Sequence, residues 1–193
     1  MSLASDIGRA GPLTVVCVGT DRSTGDSLGP LVGTMLSRGD FGGTVLGDLE
    51  TPVHAENLES ILPRLSAKTG LVMGVDACLG TRQEVGRVMV RAGPLRPGLG
   101  VKKKLTPIGD LYIAGVVNVG GFMEYMVLQN TRLSLVMKMA ETIAAGIQKA
   151  ESILDSLGAG AISKTVRTGE ATPAVQATGG PDSPLLQAFV RRH

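Results

Sequence analysis

The 193-residue sequence has no tryptophan, three phenylalanines and two tyrosines. It therefore lacks the aromatic platform on which single-stranded nucleic acid stacks. Net charge is equally scant. Nineteen basic against seventeen acidic side chains leave +2, too little to form an electrostatic footprint for a polyanion. Two cysteines, Cys17 and Cys78, are too few for a disulfide scaffold or a four-thiolate zinc site. No apolar run reaches the roughly 18 residues of a membrane-spanning helix, and the opening MSLASDIGRAG lacks the apolar core of a secretion signal. The expectation is a cytoplasmic protein with neither a nucleic-acid partner nor a membrane contact.

What is present is aliphatic and rich in turns. Hydrophobic residues make up 43% of the chain and glycine accounts for 27 positions, about twice the usual share of roughly 7%. That supports one buried core threaded with tight turns and close backbone approaches. Residues 1–12 read as a flexible leader, 13–158 as a single α/β domain and 159–193 as a flexible or loosely packed tail.

Leu13 to Val18 is a short β-branched run between Gly-Pro and Gly19, hence a buried strand. Leu28, Leu31, Val32, Met35 and Leu36 then fall on one helical stripe, with Pro30 in the first turn, where its missing N–H costs least. Thr44 to Gly47 predicts a weak strand. Thr51-Pro52 has the form of a helix start, and Pro63 predicts a kink in that helix. Leu71 to Val75 predicts a second buried strand ending at Asp76, Val85 to Val90 an edge strand, and Leu111 to Val117 a third apolar strand stopped by Asn118. The Gly/Pro-rich stretch 91–110, with Lys102, Lys103 and Lys104, predicts a long loop. A helix runs from Thr131 to a stop at Gly158. Alternating strands and helices predict a sheet covered on both faces.

In such sheets ligands gather at the carboxyl ends of the strands. Three polar, glycine-rich junctions fall there: Gly19 to Gly29, Asp76 to Gly80 and Asn118 to Gly121. GTDRSTGDSLGP is not a phosphate loop, because Asp26 stands where such a loop carries lysine. Asp26 precedes a helix and can be read as its N-cap. Paired with Asp76 on one rim, it can instead share a proton, one carboxyl acting as base on water and the other as acid. The same two residues are the candidates for a divalent metal, with Asp48, Glu50 or His54 as further ligands, although their spacing matches no standard ligand motif. Cys78 with His54 is a conceivable nucleophile pair. Cys17 reads as core, Lys102 to Lys104 as solvated surface, and the stripe Met123, Tyr125, Met126, Leu128 as core or subunit contact.

The segments GTDRSTGDSLGP, DLETPVHAENL, VMGVDACLG and VNVGGFMEYMVLQ resemble the YyaC-type sporulation proteins of endospore-forming bacteria, over about Thr14 to Ile147. The resemblance implies a spore protease. The loop Thr24-Gly25-Asp26-Ser27-Leu28-Gly29-Pro30 and the strand end Val75-Asp76-Ala77 are also similar to the spore germination protease, an atypical aspartic-type peptidase. That similarity implies catalysis by Asp26 and Asp76. Hydrogenase maturation endopeptidases share the plan and hold their client's nickel through Glu, Asp and His. Asp26 and Asp76 match the first two positions, but Asn118 stands at the third, which disfavours metal recognition.

Together these resemblances imply a three-layer α/β/α sandwich with a mostly parallel mixed sheet of about five strands, one of them antiparallel. They also imply a peptidase that uses no cofactor and acts on a protein or peptide of the sporulating cell or forespore. Asn118, Gly25, Thr24 and His54 would then bind substrate or an oxyanion, and assembly into homo-oligomers is allowed. Two rival expectations are a non-catalytic spore binding or regulatory protein on the same fold, and a metal-dependent hydrolase.

Overall fold

The computed structural model describes residues 12–66, 70–97 and 106–168. The leader through residue 11, Lys102 to Lys104 and the tail beyond 168 lie outside the described residues. In chain order the elements are β1 (Thr14–Cys17), α1 (Leu28–Arg38), β2 (Thr44–Leu46), α2 (Leu58–Ser66), β3 (Val72–Gly80), β4 (Val88–Ala92), β5 (Leu111–Val119), α3 (Glu124–Gln129) and α4 (Leu133–Thr168).

Five strands form one mixed sheet in the order β2-β1-β3-β5-β4, parallel except for β4, which runs antiparallel to β5. Period-two alternation sends Val15, Cys17, Met73, Val75, Ile113 and Val117 to the face covered by α1 and α4, where Leu28, Val32, Leu36, Val136 and Ala140 complete the larger core. Val16 and Val18 face the opposite side, against Val53, Leu58 and Ile61 of α2 and its approach. Leu95 and Ile108 join that cluster through an antiparallel bridge, so the expected long loop is anchored across its ends. The expected three-layer α/β/α architecture is present.

Several boundaries differ from those expected of the sequence. β3 continues beyond Asp76 to Gly80 and β5 through Asn118 to Val119. The two strands go on pairing across a bulge at Cys78 and Leu79, and a paired ladder outweighs local stop signals. Thr51 does not start a helix. Its N–H and hydroxyl close a turn on the Asp48 carboxylate, and α2 begins at Leu58. Gly158 does not end α4, whose backbone continues to Thr168. One glycine costs a helix only about 1 kcal/mol and cannot by itself stop one. The edge strand is Val88–Ala92, beginning three residues later than expected and ending two later, because Gly86, at φ +90°, forms a turn before it.

Close backbone approach fixes how α1 sits. A side chain at Gly29 would strike the Val18 carbonyl, and one at Gly33 the Gly47 carbonyl. The helix therefore lies directly on the ends of β1 and β2. Thr34 Oγ reinforces the seat, donating to the Pro30 carbonyl (2.9 Å) and accepting the Leu49 N–H (3.0 Å).

Candidate active site

The site opens where β1 ends. β1 pairs with β3 only as far as Cys17 opposite Val75, and the Val18 N–H makes the last link, to the Val75 carbonyl (2.7 Å). From Asp76 onward that flank of β3 has no neighbouring strand among the described residues. Asp76 is thus mid-strand in sequence yet beside a gap in the sheet, half-buried and with its Oδ1 accepting the Ala77 N–H (2.8 Å).

The chain leaving β1 fills the gap with a short loop. Gly19 takes φ +142°, and any side chain there would meet the Asp26 carbonyl. The Thr20 N–H donates to that same carbonyl (3.1 Å) and closes the loop over residues 20–26. Asp26 does not cap α1. The N-cap is Ser27, whose hydroxyl turns back to the Thr24 carbonyl (2.7 Å), and no side chain caps the helix. The Asp26 carboxylate makes no hydrogen bond among the described residues, so it is not spent on holding the helix.

The Asp26 charge acts on Asp76. Burial raises Asp26, with the His54 imidazole pulling it partly back. Burial raises Asp76 well above the usual carboxylate range, the Asp26 charge adds to the rise, and the Ala77 N–H opposes it. A like charge that disfavours a second ionisation is the electrostatic signature of a carboxyl pair.

His54 reaches this neighbourhood because Val53 bridges Val18 in parallel and its carbonyl accepts the Gly19 N–H (2.8 Å). Its Nδ1 accepts the Glu56 N–H (3.3 Å). Its backbone N–H is held by the Asn57 Oδ1 (2.8 Å).

Other candidates have structural duties. Asn118 Nδ2 donates to the Val127 carbonyl (3.2 Å) and the Thr131 hydroxyl (3.1 Å), while its Oδ1 accepts the Val119 N–H (2.8 Å). Its amide ties β5 to the α3–α4 connection and has no N–H to spare for an oxyanion. Gly25 docks on the same connection. Its N–H donates to the Leu128 carbonyl (2.9 Å), and a Cβ would lie 2.8 Å from Leu128 and 2.9 Å from the Thr131 hydroxyl. Thr131 is therefore a hub that the sequence did not reveal. A threonine at a helix start looks like an ordinary cap signal, and only the fold brings Asn118 and Gly25 to it. Ser23 carries no sequence signal either; its hydroxyl is buried with no hydrogen-bond partner among the described residues.

Burial and then the charges of Asp76 and Glu84 push the Cys78 thiol up to about 12, the reverse of what a nucleophilic thiolate needs. Cys17 is fully buried, as expected of core. Among the described residues no three of His, Cys, Asp and Glu come together as a metal-ligand set. Asp48 is occupied by the N–H groups of Glu50 (3.0 Å) and Thr51 (2.6 Å). With both Asn118 amide hydrogens engaged and a neutral amide at the third position, the donor set here differs from the Glu, Asp and His that the hydrogenase maturation likeness implies.

Beside Asn118 the surface turns apolar. Phe122 is 81% exposed and Tyr125 71%, with Met123, Met126 and Val119 exposed nearby. Only Leu128 of the expected stripe packs against the core. α3 is six residues long and buries none of them. A groove of about 500 Å³ runs between this helix and the end of β5, lined by Asn118, Val119, Phe122 and Met126 among others.

The fold is shared with a solved structure. It matches the crystal structure of a [NiFe] hydrogenase maturation protease, HycI, from Thermococcus kodakarensis KOD1, with a TM-score of 0.54 and 20% identity over 78% of this chain and 99% of that one. The chain belongs to the family DUF1256, described as a protein of unknown function, which residues 2–146 match. It is 51% identical over 150 residues to the uncharacterized protein YyaC of Bacillus subtilis (strain 168), covering 75% of this chain and 73% of that protein.

Proposed function

We propose that this protein is a peptide hydrolase in which Asp26 and Asp76 share one proton. What supports the proposal is the geometry: the loop that ends at Asp26 fills the gap beside Asp76, Asp26 makes no hydrogen bond among the described residues, and its charge adds to the rise at Asp76. In the proposed step the shared proton starts on Asp76 and Asp26 acts as the ionised partner; burial raises both carboxyls, with His54 opposing the rise at Asp26. Asp26 takes a proton from water as the water oxygen bonds to the scissile carbonyl carbon, and Asp76 gives its proton to the carbonyl oxygen. The tetrahedral adduct collapses when the proton on Asp26 passes to the amide nitrogen, the C–N bond breaks, and a hydroxyl of the adduct returns its proton to Asp76, leaving a carboxylic acid and an amine.

The substrate is a protein of the sporulating cell, cut at an extended segment whose apolar side chains rest in the groove beside Phe122 and Met126. Gly25 and Thr24 line its approach. The setting is the cytoplasm or the forespore.

The test is a cleavage assay with Asp26→Asn and Asp76→Asn on a pool of small spore proteins. Each variant is expected to lose at least about a hundredfold in rate, the lower end of what a positioned acid or base supplies. Undiminished cleavage in either removes that residue from the mechanism.

A second reading, a non-catalytic binding protein, is favoured by the exposed apolar groove and by the engaged Asn118 amide. Stoichiometric capture of a pool protein without fragments would establish it. If the protein is a metal-dependent hydrolase instead, a chelator abolishes cleavage and added divalent cation restores it.

A further inference from the structure

The two edges of the sheet are unlike. β2 has three residues, the short kind of edge that resists pairing. β4 has five, Val88-Met89-Val90-Arg91-Ala92, with no proline or lysine, and no strand pairs with its outer side among the described residues. Val90 is 58% exposed and Val88 37%.

The register defines which backbone groups are free. Met89 pairs with Ala114 and Arg91 with Tyr112, the Arg87 carbonyl accepts from Val116, and the Gly93 N–H donates to Asp110 (2.8 Å). Odd-numbered residues thus bond inward to β5. The N–H and C=O of Val88, Val90 and Ala92 point outward, six groups along an edge about 17 Å long.

We infer that this edge pairs with the β4 of a second copy, antiparallel about a two-fold axis at Val90, to give one continuous ten-stranded sheet. Three registers pair at least two of these outward residues with one another, and the sequence separates them. Centred on Val90, Val88 bonds to Ala92 and Val90 to Val90, satisfying all six groups in each copy. Arg91 then faces Met89, and Arg87 faces Gly93. Centred on Met89, Arg87 opposes Arg91 twice. Centred on Arg91, the two Arg91 side chains oppose each other and Val88 meets Pro94, which has no N–H to give. Like charges directly opposite weaken a strand pair, so only the Val90 register is free of conflict. In it, the exposed valines of both copies lie side by side on the face that carries α1 and α4. A self-complementary patch about a two-fold axis is also the commonest route to a homodimer.

The experiment is sedimentation equilibrium of the full chain, the parent beside Val90→Lys. The parent is expected to dimerise. The variant, which sets two ammonium groups opposite each other, is expected to raise the dissociation constant roughly tenfold or more, with an unchanged circular dichroism spectrum. For register, chains carrying Met89→Cys are mixed with chains carrying Arg91→Cys under oxidation. A covalent dimer is expected from the mixture and from neither alone, since directly opposed non-hydrogen-bonded positions lie within disulfide reach. A monomeric parent overturns the inference, as does a dimer that survives Val90→Lys. Cross-linking by Met89→Cys alone would overturn the register. If Phe122→Ser dissociates the dimer instead, the contact belongs to α3 and not to β4. None of these outcomes depends on whether the protein cleaves peptides.

Discussion

The two ends of the candidate site are built on opposite principles. At the α1 end, helix and strand backbones touch: Gly29 and Gly33 sit against carbonyls of Val18 and Gly47, and Leu28, Val32 and Leu36 are fully buried. At the α3 end, a six-residue helix buries nothing and shows Phe122, Tyr125 and Met126 to solvent. The first end holds a carboxylate to a fixed position, which acid–base chemistry requires. The second leaves apolar area uncovered, which binding requires and stability does not. Rigidity and stickiness are thus separated by the width of one groove, and Thr131 connects them through Asn118 and Gly25.

The largest way to break that contrast is Gly33→Leu. Its side chain would displace the Gly47 backbone, so the expected cost exceeds about 4 kcal/mol, in the range of severe core overpacking. Loss of soluble folded protein on expression and of the cooperative melt would register it.

Thr131→Val removes the hydroxyl that accepts from Asn118 and donates to Val127, leaving a half-buried amide N–H without its partner. The expected loss is about 2 kcal/mol. Hydrogen exchange should quicken across residues 124–130 while α1 stays protected. Equal quickening in α1 would show that the two ends are one cooperative unit.

Asp76→Asn sharpens the electrostatic side of the comparison. The folded Asp76 binds its proton more tightly than the unfolded chain does, so the parent loses stability as pH rises from the unfolded value, about 3.9, through the higher folded one. The variant lacks that loss. It should match the parent in strong acid and exceed it at neutral pH, by on the order of 1 kcal/mol, as stabilising active-site changes commonly do. Thermal melts across pH measure this. The parent's cleavage rate should follow a bell whose limbs both sit above the ordinary carboxylate range, because activity needs one proton on the pair. A flat profile would count against a shared proton.

Phe122→Ser should change stability least, within about 0.5 kcal/mol, since the ring is already in water. Its effect should fall on KM for a protein substrate, with kcat preserved.

Much of the fold is legible from short-range pattern. The β-branched runs around Val15, Val75 and Ile113 and the apolar stripe from Leu28 to Leu36 report burial through spacing alone, and they mark the strands and the first helix correctly. The ends of elements are not legible. Asp76 and Asn118 look like strand stops because polar residues usually end apolar runs, but β3 and β5 extend each other through their own ladder. Thr51 looks like a cap and serves a turn, because the Asp48 carboxylate is nearer than any helix N–H. Asn118 looks available for substrate in the sequence; nothing in its neighbours along the chain reveals that Thr131 and Val127 use its amide.

The order of amino acids by itself determined the α/β alternation and the residues able to carry acid–base chemistry, since periodicity and side-chain chemistry are properties of a few neighbouring positions. Tertiary structure alone decided that β1 stops short and opens a gap at Asp76, that Asp26 is released from capping, and that the valines of β4 are left at a bare edge. Those outcomes depend on which strands lie beside one another and in what register, and contacts between residues fifty or more positions apart leave no mark in local pattern.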